Sequence, residues 1–452
     1  MKIIVCGGGN VGQSIVSYLV KGNNDVVVVD HDQRCLDNIS NEYDILPILG
    51  EAAHPDVLER AGAKDADLIL AVTGSDEVNM LICQIAYSLF NIPRKIARID
   101  RDVFLDPLWG VLYNDHHLPI DNIISPEIEI AENILQILKY PGCSGLLPVL
   151  KGKGCILNLK LSKTCPLLDI PLFQLNRQNE NLNIAVVNVL REGKSFIPEA
   201  YDSFAAEDEI NIYVPTSEVY NTIGAFGLEK QVNERVLIFG GNAIAEHLGR
   251  QIEQDDSIIS CKIIESDYDK ARELAKELSS AVIIHGEMLS DVILNEADIS
   301  HTDATIALTD NDKDNLLASL LAEKRGVSST LSVVNTPSYS NLVFNIGDNI
   351  LVERSSVTIS KLLKEIRKTK MQEAYAVSRG HGEIWEIRLG EEDICCGKKI
   401  GELNLPKMCR VFMISRGDDN IYPDPTTQLN SGDILLVYVD STAIRQAENI
   451  FA

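Results

Sequence analysis

Ile3-Ile4-Val5-Cys6-Gly7-Gly8-Gly9-Asn10-Val11-Gly12 runs four apolar residues straight into a glycine turn, and this stretch decides the fold. Four apolar residues in succession predict a short buried strand, and Val11, Ile15 and Leu19 then fall on one face of a helix that Gly22 closes. Each spaced glycine has its own purpose. Gly7 permits the tight turn, Gly9 lets backbone N–H groups approach a pyrophosphate, and Gly12 lets the helix pack close to the strand. The helix N-terminus adds partial positive charge for the anion. A second strand, Val26-Val27-Val28-Val29, ends in Asp30, where a carboxylate would hold a ribose hydroxyl. Acid at that point favours an unphosphorylated ribose, hence NAD or an adenine nucleotide over NADP. Strand, helix and acid together separate this loop from a glycine turn that merely packs.

The unit returns past the middle of the chain. Gly240-Gly241-Asn242-Ala243-Ile244-Ala245 is a worn copy of the turn, and Glu265, closing Lys262-Ile263-Ile264, matches Asp30 with a two-residue slip. Ala71-Val72-Thr73-Gly74-Ser75-Asp76-Glu77-Val78-Asn79 recurs as Ala307-Leu308-Thr309-Asp310-Asn311-Asp312-Lys313-Asp314-Asn315, and Gly50 recurs as Gly286 at the same spacing. Self-similarity at about half the chain length means two copies of one domain-sized unit, not a solenoid. A second related pair follows. Ile197-Pro198 with Phe204 to Tyr213 resembles Tyr422-Pro423 with Leu429 to Tyr438, flanked by apolar, β-branched runs such as Ala185-Val186-Val187 and Val411-Phe412-Met413. Such runs, broken by Gly and Asp turns, predict a small sheet of short strands.

The expected architecture is therefore α/β, with two tandem Rossmann-like, doubly wound parallel-sheet lobes, each followed by a small α+β lobe. The boundaries fall at 1–122 for the first nucleotide-binding lobe, 123–142 for a connecting helix and 143–228 for the first small lobe. The second half divides into 232–352, a connecting helix at 353–371, and 372–452. Apolar stripes mark the connecting helices: Ile128, Ala131, Ile134, Leu135 and Leu138 before Pro141, then Ile359, Leu362, Leu363 and Ile366. Burial against the helix's own lobe is the ordinary reading of such a stripe, and a subunit contact is the alternative.

At 452 residues the chain is long enough for two to four domains, and 45% hydrophobic with 24% charged residues is an ordinary globular composition. A net charge of −25 argues against nucleic-acid backbones and anionic lipid as partners. No apolar run approaches the ~18 to 20 residues that span a bilayer, so no direct membrane insertion is expected. The first residues form a strand followed at once by glycines, which is not the pattern of a signal peptide.

The ten cysteines stand singly apart from Cys395-Cys396, with no paired His spacing, so no metal site is expected and the thiols read as those of a reducing compartment. His116-His117 reads as a solvated loop rather than a metal site, and His54 lies near the expected nucleotide edge, where capping or packing is the ordinary reading and a ligand contact the alternative. A hydride-transfer enzyme needs an acid/base and a polarising group set against the nicotinamide, and no His-centred cluster, nucleophile elbow or Walker lysine is present. The chain is not expected to be an enzyme, and no residue is assigned as catalytic.

Residues 1–30, Gly50-Glu51-Ala52-Ala53-His54-Pro55, the segment Ala71 to Met80 and Ile96-Ala97-Arg98-Ile99 resemble the TrkA family, tandem KTN/RCK proteins that regulate bacterial Trk potassium uptake. The resemblance covers essentially the whole chain and reproduces the order of lobes read above. It implies a non-enzymatic subunit that binds NAD(H), with ATP or ADP as further ligands. It also implies a homo-oligomeric ring, dimer or tetramer, peripheral on the cytoplasmic face of the inner membrane against a TrkH/TrkG-type channel subunit. Carried over by position, the first site comprises Gly7, Gly8, Gly9, Asn10 and Val11 around the pyrophosphate, Asp30 at the ribose, Thr73 and Gly74 after the fourth strand, and Arg98 at the fifth. A guanidinium there could bind phosphate bidentately, although a surface ion pair is its common explanation. The alternatives are a soluble NAD-dependent oxidoreductase and a regulatory subunit of another cation transporter.

The second site would comprise Gly240, Gly241, Asn242, Ala243, Ile244, Glu265 and Thr309. It departs from the pattern consistently. Asn242 replaces the glycine that admits phosphate, Ala245 replaces the third glycine, and Val334 is aligned with Arg98. The second site is expected to be weaker, altered in ligand choice, or structural.

Overall fold

The computed structural model describes all residues except 23, 179–181, 229–231, 336–348, 367–370, 378–380, 418 and 452. The first six strands are β1 (Lys2–Cys6), β2 (Asp25–Asp30), β3 (Leu46–Leu49), β4 (Leu68–Ala71), β5 (Arg94–Arg98) and β6 (Asn122–Ile124). They form one parallel sheet in the order β3-β2-β1-β4-β5-β6. β1 and β4 are buried over most of their length, as expected for strands covered by helices on both faces. The order reverses between β1 and β4, which leaves a crevice at their carboxyl ends.

The unit is repeated by β12 (Arg235–Phe239), β13 (Ser260–Glu265), β14 (Val282–His285), β15 (Ala304–Ala307), β16 (Ser329–Val334) and β17 (Ile350–Glu353). Their order, β14-β13-β12-β15-β16-β17, is that of the first sheet.

The small lobes are antiparallel. β7 (Gly145–Val149), β8 (Gly154–Lys160), β9 (Ala185–Arg191), β10 (Lys194–Phe196) and β11 (Glu209–Pro215) run in the order β10-β9-β11-β8-β7. β18 (Met371–Val377), β19 (Gly382–Arg388), β20 (Cys409–Arg416), β21 (Asp419–Ile421) and β22 (Ile434–Asp440) run as β18-β19-β22-β20-β21, the same topology read from the other edge. The two small sheets share a core in which Val149, Ile156, Val187 and Tyr213 meet Ile384, Phe412, Met413 and Tyr438. Polar bonds cross the same seam. Leu150 N–H donates to Glu386 at 2.8 Å, Arg410 donates to the Pro198 carbonyl at 2.9 Å, and the Ser195 and Tyr438 hydroxyls lie 3.0 Å apart.

The chain divides into two compact units: Met1–Glu129 with Val357–Glu365, and Ile130–Ser356 with Ile366–Ala452. The connecting helices therefore do not stay with the lobes that precede them. From residue 130 onward the helix Pro126–Lys139 belongs with the second unit, where Asn233 donates to the Leu138 carbonyl at 2.9 Å and Lys139 pairs with Asp255 at 2.6 Å. Residues 357–365 of the helix Arg354–Ile366 belong with the first. The apolar stripes are buried within the chain, and each helix is divided between the two units, with Ile128 in the first and Ile130 onward in the second. The buried face of the first helix is Ile130, Ala131, Ile134, Ile137 and Leu138, with Ile128 and Leu135 at its margins. Ile359, Leu362 and Leu363 are buried in the second, while the expected continuation over 367–370 lies outside the described residues. Among the described residues no helix is long and apolar enough to cross a membrane.

Candidate functional site

The first glycine loop lies at the carboxyl end of β1, between β2 and β4. Gly7 has φ +113°, and a Cβ there would stand 2.7 Å from the Val72 carbonyl oxygen, so no side chain fits. A Cβ on Gly12 would run into the Gly7 carbonyl, which is the close helix approach that its spacing implied. Gly9 is different. It caps the helix Asn10–Lys21 with no side-chain bond to the helix N-terminus, is exposed, and has nothing within 4 Å of a notional Cβ. The open space that a phosphate needs is in front of it. Asp30, 8% exposed, accepts from Gly8 N–H at 2.5 Å through one oxygen and from Asp32 N–H at 2.8 Å through the other. One carboxylate therefore holds the glycine loop to the end of β2. Asn10 and Val11 begin the helix, Asn10 exposed and Val11 buried.

Across the crevice, Thr73 and Gly74 follow β4, with Gly74 exposed and open. Thr73 is held by Asn79, a fully buried residue on the helix Asp76–Phe90. The Asn79 carbonyl accepts Thr73 N–H at 2.9 Å and the Thr73 hydroxyl at 2.7 Å. Its amide donates back to the Thr73 carbonyl and to the Arg98 carbonyl at 2.9 Å, fastening β4 to β5. Ser75 caps this helix, and the buried Asp76 carboxylate accepts Asp100 N–H at 3.1 Å and Arg101 N–H at 3.0 Å.

Arg98 is not on the surface. At 19% exposure it pairs with Asp100 at 2.6 Å and with Glu127 at 3.0 Å, and its Nε is buried with no hydrogen-bond partner among the described residues. Burial would lower the guanidinium pKa, but Glu127 and Asp100 raise it, so the cation is firmly held. Burial and the adjacent Glu127 push Asp100 up to about 7, while Arg98 pulls the other way. Glu127 belongs to the first turn of the connecting helix Pro126–Lys139. One cation thus links the end of β5 to that helix.

The second loop keeps the backbone and changes the chemistry. Gly240 has φ +98°, and Gly241 N–H donates to Glu265 at 2.6 Å just as Gly8 does to Asp30. Asn315 binds Thr309 N–H and hydroxyl at 2.9 and 2.7 Å and donates to the Val333 carbonyl at 2.9 Å. That bond corrects the alignment. Ala71 pairs with Ala97 and Ala307 with Ser332, so Val333 rather than Val334 stands at the Arg98 position, and Asn335 at that of Asp100. A one-residue change in strand register escapes sequence matching. Asn242 caps the helix Ala243–Glu253, accepting from Ile244 N–H at 3.1 Å and Ala245 N–H at 3.3 Å, and its amide donates to the Leu308 carbonyl. Ala243 is exposed and Ile244 fully buried.

His54 is the exposed N-cap of the helix Pro55–Arg60 without a side-chain capping bond, and His116 and His117 lie exposed in a loop whose N–H groups are held by Asn114. All ten cysteines are unpaired, and burial raises the thiols of Cys83 and Cys261 to about 12. Asn79, Asp76, Asp100 and Glu127 were not singled out as site residues from sequence. The recurrence of Asp76 as Asp312 and of Asn79 as Asn315 within the repeated segment was the available signal; nothing in sequence brings Glu127 to Arg98.

A family model described as the TrkA-N domain matches residues 3–126 and again 236–353, and one described as the TrkA-C domain matches 384–452. The chain is 32% identical over 451 residues to a Trk system potassium uptake protein TrkA of Azorhizobium caulinodans, covering 100% of this chain and 98% of that one. It is 30% identical to the protein of the same name from Haemophilus influenzae, again over 100% and 98%. Among solved structures, the GsuK RCK domain superposes with a TM-score of 0.64 at 17% identity, covering 100% of this chain and 94% of that one. A GsuK channel bound to NAD gives 0.62 at 16%, covering 99% and 79%. At these identities the two structures speak for the fold. With both nucleotide lobes matched and its relatives alike from end to end, the chain belongs to the TrkA family.

Proposed function

We propose that this chain is the nucleotide-binding regulatory subunit of a potassium uptake system, gating a membrane channel partner by conformational change. The observation that carries the reading is an open glycine loop at the carboxyl edge of a sheet on which Arg98, ending β5, is paired with Glu127 on the helix that leaves that lobe. The ligand is NAD+ or NADH, with ATP or ADP as competitors for the same loop. Gly8, Gly9, Asn10 and Val11 would surround its diphosphate, Asp30 would accept from a ribose hydroxyl, and Gly74 would border the far side. The exposed, uncapped helix start and the buried, unpartnered Arg98 Nε fit an anion of this kind.

Gating follows from competition. A phosphate drawn to Arg98 weakens its hold on Glu127 and Asp100, and so changes how the connecting helix begins. A ligand shifts an equilibrium only by its differential affinity for two states, and such couplings run to ~1 to 3 kcal/mol. The names of the relatives and the likeness to RCK domains support a peripheral, cytoplasmic ring of identical chains on a TrkH/TrkG-type channel subunit. They support regulation over an NAD-dependent oxidoreductase, which would need catalytic groups beside the nicotinamide.

Calorimetric titration of the purified chain with NADH, NAD+, ATP and ADP tests the ligand. Asp30→Ala should weaken binding at least ~10-fold, the effect of losing a charge-assisted bond. Potassium uptake in a strain lacking the gene should be restored by wild type and not by Asp30→Ala. Turnover of NADH with a metabolite, or restoration of uptake by a variant that binds no nucleotide, would overturn the reading.

A further inference from the structure

We propose that Asn242 closes the second glycine loop, its carboxamide taking the place of a ligand phosphate, so that dinucleotide binds only the first lobe. The inference rests on the reading of the first loop as a nucleotide site. The two loops are nearly the same backbone. Gly9 has φ −68° and ψ −170°, and Asn242 φ −84° and ψ −177°; each caps a helix, and each is preceded by a glycine whose N–H is held by the acid ending the second strand of its sheet. The difference is one side chain. Where the first loop leaves the helix start uncapped, Asn242 Oδ1 accepts from Ile244 and Ala245 N–H, two of the donors that a bound phosphate uses.

The plug is anchored at both ends, because Asn242 Nδ2 donates to the Leu308 carbonyl after β15. A phosphate entering here must displace the oxygen from two N–H groups and break that third bond. It gains little in exchange. Val333 and Asn335 stand at the positions of Arg98 and Asp100, so the guanidinium that ends β5 in the first lobe has no counterpart here. The consequence is a second lobe held permanently in a capped condition, insensitive to nucleotide, in the same chain as a responsive first lobe.

Both directions of exchange are mild for folding. Asn and Gly are each accepted at a helix N-cap, and a Cβ at Gly9 meets nothing within 4 Å. The experiment is calorimetric titration of the full chain with NADH and with ATP, alongside thermal unfolding, for wild type, Gly9→Asn and Asn242→Gly. Wild type should bind one equivalent per chain. Gly9→Asn should lose at least ~10-fold in NADH affinity with its unfolding midpoint within ~2 °C of wild type. Asn242→Gly should add a second, weaker equivalent of ATP. Two equivalents in wild type, unchanged affinity in Gly9→Asn, or no added equivalent in Asn242→Gly would each overturn the proposal. If Gly9→Asn loses stability as well as affinity, the Asn242→Gly titration decides alone. Failure of wild type to bind any nucleotide would instead overturn the reading of the first loop.

Discussion

Asp100 sits half-buried between a cation and a like charge. Its pKa is raised to about 7, above its ordinary 3.8, first by burial and then by Glu127. A carboxyl raised in this way binds its proton more tightly in the folded protein. Its stabilising contribution is therefore complete below the ordinary carboxylate range and is lost as pH rises through about 7. Asp100→Asn should remove that dependence. The variant should unfold at a higher temperature than wild type at pH 8 and at nearly the same temperature at pH 4, as thermal melts across the range would read. An equal offset at both pH values would remove Asp100 from this role. Asn335 in the second lobe is the same exchange already present in the chain. Protonation of Asp100 also frees Arg98 from one competitor, so nucleotide affinity should rise as pH falls from 8 to 6.

Elements are tied together by repeated side-chain devices rather than by strand pairing alone. Asn79 joins its own helix, the end of β4 and the end of β5, and Asn315 does the same for β15 and β16. Replacing either by Ala strands several buried partners, at a cost of roughly 2 to 4 kcal/mol. Denaturant unfolding should show similar losses for Asn79→Ala and Asn315→Ala, while NADH titration should show loss of affinity for Asn79→Ala only. Equal loss of affinity in both would contradict the asymmetry of the lobes. The small lobes carry their own device. Buried Asp208 is bound by Arg191 through two bonds of 2.7 Å, and buried Asp433 by Arg416 through two of 2.8 Å. Each pair holds the turn before a central strand, and each Arg also reaches a backbone carbonyl, of Ser203 and of Gln428. These motifs were visible as a repeat but not as ion pairs, since Arg and Asp are 17 residues apart.

At the scale of the whole molecule, the two small lobes form one core inside a single chain, and the seam is held by paired tyrosines. Tyr213 packs where a Cβ on Gly154 would be, and Tyr438 where one on Gly382 would be. Gly154→Ala or Gly382→Ala should push the ring out and destabilise the seam by roughly 1 to 3 kcal/mol. Limited proteolysis should then cut the variants faster than wild type between residues 130 and 235, and unchanged cleavage would argue that the seam is not under strain there. The sequence by itself determined the glycine loops, the acids at Asp30 and Glu265, the doubling of the unit and the order of lobes. These are local requirements: a positive φ, a close approach or an apolar strand restricts residue type at the position itself. Only the tertiary structure decided which unit each connecting helix joins, that Arg98 meets Glu127, that Val333 rather than Val334 faces that place, and that Asn242 caps its own loop. Each depends on residues brought together from distant parts of the chain or on a one-residue register. Such contacts leave no period in the sequence, because the energy that selects them is earned only when the lobes are packed.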